Sequence, residues 1–540
     1  MAVEVRRVIG GAGTGKTTAL MQEIEQAAGV YGIDAIGFSS MTRAARSEAV
    51  SRASAAFGVD AQSLTRDGWF RTVHSAAYKA LQIQPGQIVG EGDNKWFSDV
   101  FQLPMRAAED SDTFQIRVGG DPDVAAAISA WNLARATLTD LRTACDTIGA
   151  NFAVSMPLVD RYERAKRIHG RIDYTDILAS FIGAVWPSVD AKPVRRAPAG
   201  ELPDLAMWLF DECQDASRLL DLCCRRLASA KSVRKVILVG DPFQSIYSFS
   251  GSSARHFMGW AVNDQKILDR SWRCPSAILN LGESTLRNMR GEYWDRGIKP
   301  SRDGGAIQHE FCVDSMVSHV RVDKSWLLLA RSNFGASQIA RAATAAGIPW
   351  QWNKSADDEK TVERRAGYRA ATRLESGDRI SPGEVKSLMG VLPSRSEAGS
   401  LWKRGSKIGF VPEQREGELF TTADLETVGG TSVLAAIIRS GDWATFAAGG
   451  AAKRYRETVA QFGMAIADDP PIRVGTIHSA KGAEADAVGL VDSISHAGAR
   501  DQENTDAVWN EERRVEYVGV TRAKDRLVIA HLPSPLSVLY

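Results

Sequence analysis

The chain has 540 residues, enough for roughly three to four domains and for the burial of most of its unfolded surface. Its 66 Lys and Arg residues are balanced by 65 Asp and Glu residues, and the net charge of +1 excludes a histone-like polycation but not a local basic groove. The six cysteines form no CxxC pair, and this sequence contains neither a signal peptide nor an apolar run of membrane-spanning length. We therefore expect reduced thiols in a soluble intracellular protein.

Short apolar runs alternate with helical patterns along the chain. A run from Val3 to Ile9 predicts a buried strand, and after a glycine-rich turn Leu20, Ile24 and Ala28 recur at the spacing of one helix face. Later apolar runs stand directly before polar residues, namely Asp211, Asp241 and Arg331, and one more lies near the end of the chain. Strands that alternate with helices predict parallel α/β sheets with ligands at the carboxyl ends of the strands.

Two segments do not follow this alternation of strand and helix patterns. Residues 85–170 lack a strong strand pattern and contain several helical ones, whereas residues 355–470 are polar, loop-rich and helical. We interpret both segments as insertions into an α/β framework.

A phosphate-binding loop follows the first predicted strand. The string GGAGTGKT at residues 10–17 matches the pattern GxxxxGK[ST], whose glycines let backbone N–H groups surround phosphate oxygens at the start of a helix. Lys16 is expected to contact the β- and γ-phosphates, and the Thr17 hydroxyl to bind magnesium. The nucleotide-binding residues predicted from this loop are Gly10, Gly11, Ala12, Gly13, Thr14, Gly15, Lys16, Thr17 and Thr18. An ordinary glycine-rich turn is the alternative.

An acidic pair follows another predicted strand, in the string LAMWLFDECQD. Asp211 is predicted to hold Mg²⁺, directly or through water, and Glu212 to orient and deprotonate the attacking water. A solvated acidic turn is the alternative for this pair alone. Together, the two elements indicate a protein that binds a nucleoside triphosphate, and a small-molecule kinase would share them.

Seven further strings decide between these classes. They are FSSMTRAARSEA (38–49), RTVHSAA (71–77), DYTDIL (173–178), VGDPFQSIYSFSG (239–251), SWRCP (271–275), TIHSAKGAEADAV (476–488) and EERRVEYVGVTRAK (511–524). In order and rough spacing they resemble the motifs of the UvrD/Rep/PcrA-like helicases of superfamily 1. The strings QSIY and AKG resemble subgroup A, which implies movement in the 3′→5′ direction on single-stranded DNA. The short distance between SWRCP and TIHSAK indicates a compact member, and no appended domain is expected after the last motif.

This resemblance implies an α/β fold with two RecA-like parallel-sheet lobes, each carrying a mainly helical insertion. The first lobe is expected over residues 1–84 and 171–265, with its insertion over 85–170. The second lobe is expected over 266–354 and 471–540, with a reduced insertion over 355–470.

The resemblance also assigns residues to the ATP site. Gln244 is expected beside the γ-phosphate, where it links phosphate loss to the DNA contacts of its own loop. Arg273 and Arg522 are expected to enter from the second lobe as arginine fingers, although surface salt bridges are the alternative for both. Trp272 is expected to stack on the adenine, and Glu484 to accept a hydrogen bond from the ribose.

The DNA contacts implied by the resemblance are of two kinds. Tyr247 and Phe249 are expected to stack on bases, with core packing as the alternative. Residues expected to contact the phosphodiester backbone, or to pack beneath it, are Thr42, Arg43, Thr72, His74, Thr476 and His478. Neither histidine has a partner at the spacing of metal ligands, so we assign no metal to them.

Several positions depart from the family pattern. Few residues precede Gly10, so the expected adenine-reading glutamine motif is missing from this sequence, and Thr18 stands where many members have Arg. Ser40 and Ser250 replace an aromatic residue and an arginine near the DNA, and Trp272 replaces a tyrosine. We therefore expect weaker DNA contacts and looser selectivity for the base of the nucleotide.

These observations predict an ATP-dependent DNA helicase that uses ATP and Mg²⁺. A single-stranded-DNA translocase or ATP-gated DNA-binding remodeller without unwinding activity is the alternative. The expected partners are single-stranded DNA and its junctions with duplex, with replication or repair proteins as further candidates and no membrane. We expect a monomer or weak oligomer that acts in the bacterial cytoplasm and is encoded by the bacterium or a phage.

Overall fold

The protein is described by a computed structural model, which covers residues 3–109, 114–353, 359–447, 450–493 and 506–531. The chain divides into two compact units, Met1–Gly304 with Asp501–Thr521, and Gly305–Arg500 with Arg522–Tyr540. Each unit contains one six-stranded sheet. The predicted α/β class with two parallel sheets is therefore confirmed, while the finer division into four domains stays a prediction.

The strands are short and are numbered in chain order. They are β1 (Glu4–Gly10), β2 (Ile36–Ser40), β3 (Trp69–Thr72), β4 (Arg106–Glu109), β5 (Ile116–Gly119), β6 (Ala184–Val185), β7 (Val194–Arg195), β8 (Met207–Asp211), β9 (Lys235–Gly240), β10 (Asp264–Leu268), β11 (Arg270–Ser271), β12 (Lys299–Pro300), β13 (Ala306–Glu310), β14 (Trp326–Ala330), β15 (Trp350–Trp352), β16 (Arg395–Ser396), β17 (Gly399–Ser400), β18 (Ile472–Thr476), β19 (Ala485–Asp492) and β20 (Ala523–His531).

The helices surround these strands and fill the insertions. They are α1 (Lys16–Tyr31), α2 (Arg43–Phe57), α3 (Val73–Leu81), α4 (Asn94–Phe101), α5 (Pro122–Thr137), α6 (Leu141–Ile148), α7 (Phe152–His169), α8 (Tyr174–Ile182), α9 (Arg218–Ala228), α10 (Ala254–Met258), α11 (Ser276–Arg287), α12 (Val313–Ser318), α13 (Asn333–Ala345), α14 (Glu359–Glu375), α15 (Pro382–Val391), α16 (Ser406–Gly409), α17 (Ser432–Ser440), α18 (Trp443–Phe446), α19 (Ala451–Phe462), α20 (Met464–Asp468) and α21 (Asp506–Val520). Within the described ranges, no helix combines the length and the apolar character that a membrane crossing requires.

The sheet of the first unit is parallel throughout, with the strand order β10-β1-β9-β8-β2-β3. Successive residues of β8 point to opposite faces: Met207 and Leu209 belong to one hydrophobic cluster, and Trp208 and Phe210 to the other. Because helices cover both faces, the strand is apolar along its whole length. This burial explains the continuous apolar run that precedes Asp211.

The parallel arrangement brings the ends of five strands to one edge of this sheet. The strands β1, β2, β3, β8 and β9 end at Gly10, Ser40, Thr72, Asp211 and Gly240. The phosphate loop and four of the other motif strings follow directly after these residues or include them. Ligand sites of parallel sheets form at this carboxyl edge.

The sheet of the second unit is also parallel, with the order β13-β20-β19-β14-β18-β15. All five residues of Trp326–Ala330 are buried in its centre. The helices between β15 and β18 form a separate hydrophobic core that includes Leu374, Leu388 and Trp443. The predicted helical character of residues 355–470 is confirmed for the described part of that segment.

Residues 85–170, which the sequence predicts to form an insertion, are mainly helical, but their strands were not predicted. Arg106–Glu109 and Ile116–Gly119 pair as an antiparallel hairpin. In the second strand Ile116 and Val118 are buried while Arg117 is exposed. This alternation extends over only four residues, too few to stand out from the helical patterns on either side.

A buried ion cluster fixes the helices of this insertion to the segment DYTDIL. Arg135 of α5 donates to Asp173 at 2.8 Å and to Asp176 at 3.0 Å, and Lys166 of α7 contacts the same two carboxylates. Glu163 lies close enough to join the carboxylates in a metal site. Because Arg135 and Lys166 already pair with these carboxylates, we interpret the cluster as structural.

Candidate nucleotide site and DNA-binding residues

The phosphate loop connects β1 to α1. Gly13 and Gly15 adopt positive φ angles of 68° and 80°, in the left-handed region that glycine enters without steric cost. Lys16 begins the helix, and no side chain caps its amino end among the described residues. The first-turn N–H groups thus have no capping acceptor, as expected where a helix start receives phosphate.

Lys16 is held by the loop itself. Its ammonium donates to the carbonyl oxygens of Gly10 at 3.0 Å and Gly11 at 3.3 Å, and in the described part of the chain it forms no ion pair. Burial lowers the pKa of this ammonium. A phosphate oxygen would supply the negative partner that the buried cation lacks.

Three carboxylates act on Lys16 from neighbouring loops. Burial lowers the pKa of Lys16, and the negative charges of Glu212, Asp241 and Asp211 each raise it. The positive charge of Arg273 lowers this pKa further. The predicted phosphate-binding, metal-binding and base residues are therefore close enough to interact electrostatically. Asp241 of the string at 239–251 joins them, an electrostatic interaction that the sequence did not predict.

The acidic pair stands at the end of β8. Asp211 is 7% exposed, and burial together with the adjacent charge of Glu212 raises its pKa to about 7. A divalent cation at this position would favour the ionised carboxylate, so the residues fit the magnesium ion that the family implies. Glu212 has a φ of 54°, an unusual conformation for a side-chain-bearing residue that costs roughly 1–3 kcal/mol and is typical of functional sites.

Gln214 links the acidic pair to the loop after β9. Its side-chain amide donates to Glu212, and its carbonyl oxygen accepts the backbone N–H of Asp241 at 2.9 Å. Asp241 in turn accepts a hydrogen bond from Gln244 at 2.8 Å. The predicted base and the predicted γ-phosphate sensor thus belong to one hydrogen-bonded chain.

A buried arginine joins this chain to the phosphate loop. Arg296 donates to Asp241 at 2.5 Å, to Glu283 at 2.6 Å and to the Tyr517 hydroxyl at 3.3 Å. The same hydroxyl accepts the backbone N–H of Ala12 at 3.0 Å. Two carboxylates surround one guanidinium, which is the arrangement that stabilises a buried cation.

Sequence reasoning missed this group. Arg296 and Glu283 lie outside every motif string, and nothing in their local pattern separates them from surface charges. Tyr517 lies inside the string at 511–524, so only its position in a motif gave a signal.

The segment after β11 packs against the phosphate loop within the first unit. The Ser271 hydroxyl donates to the Ala12 carbonyl, and the Trp272 N–H donates to the Gly13 carbonyl, both at 2.8 Å. A Cβ on Gly13 would lie 2.3 Å from Cβ of Arg273. Arg273 therefore belongs to the same compact unit as the loop, although the family resemblance implied entry from the second lobe.

The predicted adenine and ribose residues differ in exposure and pairing. Trp272 is 63% exposed, and its ring lies 5.5 Å from the guanidinium of Arg270. In the second unit, Glu484 forms an ion pair with Lys524 at 2.7 Å. The ring is open to a ligand, whereas the glutamate already has a cationic partner.

Arg522 lies in the second unit and is 2% exposed. Its guanidinium donates to the carbonyl oxygen of Ala483 at 3.2 Å. This burial is unlike that of a surface salt bridge, the alternative that the sequence left open.

The three threonines predicted to contact DNA all stand at helix starts. Thr42 accepts the N–H of Ala45 at 3.3 Å, and Thr72 accepts that of Ser75 at 3.2 Å, so both cap helices of the first unit. In the second unit, Thr476 accepts an N–H at the start of the short helix that begins at His478. These hydroxyls organise helix starts, whose N–H groups suit phosphate oxygens.

His74 is buried, and its ring lies 4.4 Å from that of Phe114. Arg43 covers the same phenyl ring, with its guanidinium 4.7 Å from the ring centre. Burial, together with the charge of Arg43, lowers the pKa of His74 to about 3. The imidazole is therefore neutral, which favours packing beneath the DNA over a charged contact to it.

The two aromatic residues predicted to stack on bases differ in exposure. Tyr247 is 5% exposed, whereas Phe249 is 48% exposed, and their ring centres are 5.9 Å apart. Tyr247 lines a small cavity of about 30 Å³ together with Thr42 and His74. Phe249 has the open ring face that base stacking requires.

The site and the fold define a class. A parallel sheet whose first strand leads into this loop, and whose other strands supply the acidic pair, is that of a phosphate-loop nucleoside triphosphatase. Residues 4–261 match the family model of the UvrD/REP helicase N-terminal domain, and residues 461–533 match that of the UvrD-like helicase C-terminal domain. The chain belongs to the UvrD-like helicases, and it is an ATP-dependent DNA helicase.

Several individual proteins are similar to the chain. The ATP-dependent DNA helicase UvrD2 of Mycobacterium tuberculosis (strain ATCC 25618 / H37Rv) is 26% identical over 584 residues, covering 97% of this chain and 76% of the relative. RecBCD enzyme subunit RecB of Escherichia coli (strain K12) is 23% identical over 252 residues, covering 44% of this chain and 19% of that protein. A solved structure described as "The structure of PRRSV helicase" aligns at 11% identity with a TM-score of 0.30, covering 98% of this chain and 52% of that chain.

Proposed function

We propose that the chain couples ATP hydrolysis to 3′→5′ movement on single-stranded DNA and thereby unwinds duplex DNA. The observation that carries the proposal is the hydrogen-bonded chain from Glu212 through Gln214 and Asp241 to Gln244. Gln244 and the aromatic residues at 247 and 249 stand on one loop. A change at the γ-phosphate would thus be transmitted to the DNA contacts over a few residues.

The phosphate loop and the acidic pair would carry the chemistry. Lys16 would neutralise the β- and γ-phosphates, and Glu212 would take the proton of the attacking water. Thr17 and Asp211 would hold the magnesium ion, which when bound neutralises charge on the phosphates. The lowered pKa of the buried Lys16 and the raised pKa of Asp211 support a site built for a polyanion and a cation together.

Arg273 and Arg522 would stabilise the charge that spreads over the transferring phosphoryl group. Close approach to Gly13 of the loop supports this role for Arg273, and burial within the last motif supports it for Arg522. Trp272 would stack on the base, and Glu484 would exchange its lysine partner for the ribose. These four roles rest on the family resemblance and on the local geometry of each residue.

Phe249 would stack on bases, and Tyr247 would pack against it from the wall of the small cavity. The helix starts capped by Thr42, Thr72 and Thr476 would receive phosphates of the DNA backbone, because first-turn N–H groups bind anions. Arg43 supplies a positive charge at one of these starts. His478 has the corresponding position at the short helix after β18.

Two assays test the proposal. The ATPase rate should rise in the presence of single-stranded DNA, and a duplex with a 3′ single-stranded tail should be unwound while one with a 5′ tail is not. The direction rests on the strings QSIY and AKG and on the family. Unwinding of the 5′-tailed duplex alone would reverse the proposed direction of movement. An ATPase rate that does not change when DNA is added would contradict the motor function.

Movement along DNA without unwinding is the second candidate function. The short distance between SWRCP and TIHSAK favours it, because it leaves little chain for a second insertion. Displacement of a bound protein from single-stranded DNA, without strand separation of a tailed duplex, would establish this alternative. The DNA substrate and the bacterial relatives support action in the cytoplasm of a bacterium.

A further inference from the structure

A cavity of about 600 Å³ lies in the second unit, apart from every motif string. Its walls are residues 344–352, which lead into and form β15, the helices α14 and α19, and Pro470 just before β18. Its volume falls within the roughly 300–1,000 Å³ that small-ligand sites occupy. Nothing in the predicted ATP or DNA machinery uses it.

The floor of the cavity is a fixed polar layer with one open hydroxyl. Tyr455 donates to Asp468 at 2.6 Å, while Arg365 donates to Gln351 at 2.8 Å and to the Asp468 carbonyl at 2.9 Å. Tyr368 is 5% exposed, and its hydroxyl forms no hydrogen bond with any residue in the described part of the chain. The hydroxyl oxygen keeps some exposure to solvent, so it can donate a hydrogen bond to a bound ligand.

Two arginines give the cavity a positive charge. Arg364 and Arg454 are exposed, and neither pairs with a carboxylate among the described residues. Burial raises the pKa of the Tyr368 hydroxyl, whereas the charges of both arginines lower it, so both act on this hydroxyl. Glu457 carries the negative charge of the lining, and it contacts Lys453 at 3.9 Å. An anionic ligand would meet two unpaired cations here.

Flat rings form one side of the cavity. Trp350 and Trp352 contact each other edge to face, with ring centres 4.9 Å apart, and Trp352 is 41% exposed. The Trp350 indole is oriented by its hydrogen bond to Thr344 at 2.9 Å, and the guanidinium of Arg454 lies 5.7 Å from its ring centre. Indole rings beside guanidinium groups are the surfaces on which nucleic acid bases stack.

We propose that this cavity binds a nucleotide unit, with its base on the Trp350 and Trp352 rings and its phosphate between Arg364 and Arg454. The Tyr368 hydroxyl would complete the hydrogen bonding of the bound unit. The same chemistry is offered by a free nucleotide and by single-stranded DNA. We favour the strand as the source, and only this choice rests on the proposed function.

The cavity shares no lining residue with the predicted DNA contacts of the same unit. It reaches from Pro470, before β18 begins, to Trp352, which pairs with Val474, whereas Thr476 and His478 stand at the carboxyl end of that strand. At about 3.3 Å per residue along the strand, Pro470 lies about 20 Å from Thr476, and the level of Trp352 lies about 7 Å from it. A strand bound here would be held at a second point.

Photo-cross-linking to the full chain tests the proposal. An oligothymidylate that carries 5-iodouracil is irradiated with the protein, and cross-linked peptides are identified by mass spectrometry over a range of oligonucleotide concentrations. We expect cross-links in the peptide that contains Trp350 and Trp352. Trp352→Ala should lower the affinity measured at the remaining cavity peptides about fivefold to 150-fold, the range for loss of one base–aromatic stack.

Charge reversal provides the second variant and its control. Arg364→Glu combined with Arg454→Glu should abolish the cavity cross-link, whereas Arg439→Glu, an exposed arginine of the same unit outside the cavity, should leave it unchanged. Circular dichroism of each variant checks that the fold is kept. Cross-links to the peptide at 239–251 report separately on the proposed DNA loop.

The outcomes distinguish both the source and the chemistry. Displacement from the cavity by thymidine monophosphate at matched nucleotide concentration supports a free nucleotide, and resistance to it supports a strand. Displacement by polyglutamate as effective as that by oligothymidylate would show attraction by charge alone and overturn the proposal. Absence of cross-links at the cavity would also overturn it, while their absence at 239–251 alone would count against the proposed function instead.

Discussion

Removal of one oxygen, in Tyr517→Phe, tests the buried link between the phosphate loop and the last motif. The hydroxyl accepts the N–H of Ala12 at 3.0 Å and a guanidinium hydrogen of Arg296 at 3.3 Å. Ala12 is 1% exposed and Tyr517 is fully buried, so water has no access to the N–H group that would be left without an acceptor. The phenyl ring itself would keep its packing.

The loss can be estimated from these contacts. An unsatisfied buried N–H costs about 1–3 kcal/mol. The longer bond from Arg296 adds little, because this guanidinium keeps its hydrogen bonds to Asp241 and Glu283. We therefore expect the free energy of unfolding to fall by about 1–3 kcal/mol, and nucleotide affinity to fall with it because Ala12 belongs to the loop.

Urea denaturation followed by circular dichroism measures the change in stability, and titration with a fluorescent ATP analogue measures binding. Tyr31→Phe is the matched control, since Tyr31 is 40% exposed at the end of α1 and its hydroxyl has no hydrogen-bond partner among the described residues. Equal stability of Tyr517→Phe, Tyr31→Phe and the unmodified chain would refute the reasoning, because the link would then carry no free energy.

The first unit supports three further predictions. Lys16→Ala should abolish ATP turnover. Glu212→Gln should keep nucleotide binding and lower hydrolysis roughly 10²–10⁴-fold in a steady-state assay. Normal turnover by Glu212→Gln would show that Glu212 is not the general base. Gly13→Ala should impair folding and ATP binding, because the new Cβ would lie 2.3 Å from a neighbouring side chain and the backbone φ at this position is 68°. Gly29 lies inside α1 with open space around it, so Gly29→Ala should raise stability by up to about 1 kcal/mol in the same denaturation assay. The pKa of His74 is lowered from 6.5 to about 3 in the folded chain, so on acidification the unfolded chain binds the imidazole proton first. The free energy of unfolding should therefore fall by about 1.4 kcal/mol per pH unit as the pH drops from 6.5 towards 3. If a His74→Gln variant showed the same dependence of stability on pH, this assignment would be contradicted.

The structure also gives the loop after β9 a second role. Asp241 accepts hydrogen bonds from Gln244 and from Arg296, while its backbone N–H donates to Gln214. One carboxylate therefore joins the predicted γ-phosphate sensor to the buried arginine. Charge-neutral replacement of Asp241 should for this reason disturb both hydrolysis and stability, whereas replacement of Glu212 leaves the bond between Asp241 and Arg296 in place.

Features that depend on neighbours along the chain could be predicted from the amino-acid sequence. Strands covered on both faces must be apolar along their length, so the runs before Asp211, Asp241 and Arg331 predicted β8, β9 and β14 correctly. The phosphate loop is equally local, because its glycines, its lysine and the helix that follows are consecutive. Parallel pairing then brings the ends of these strands to one edge, so the placement of the acidic pair near the loop was also predictable.

Features that join distant positions required the folded structure. Asp241, Glu283, Arg296 and Tyr517 meet in one buried group, yet no periodicity relates their places in the sequence. The sequence also could not show that Phe249 is exposed and Tyr247 is buried. Two aromatic residues at alternating positions have the same local pattern, and only the packing around them distinguishes their exposure. A local pattern fixes which face a residue shares with its neighbours, whereas its burial and partners depend on segments that folding brings together.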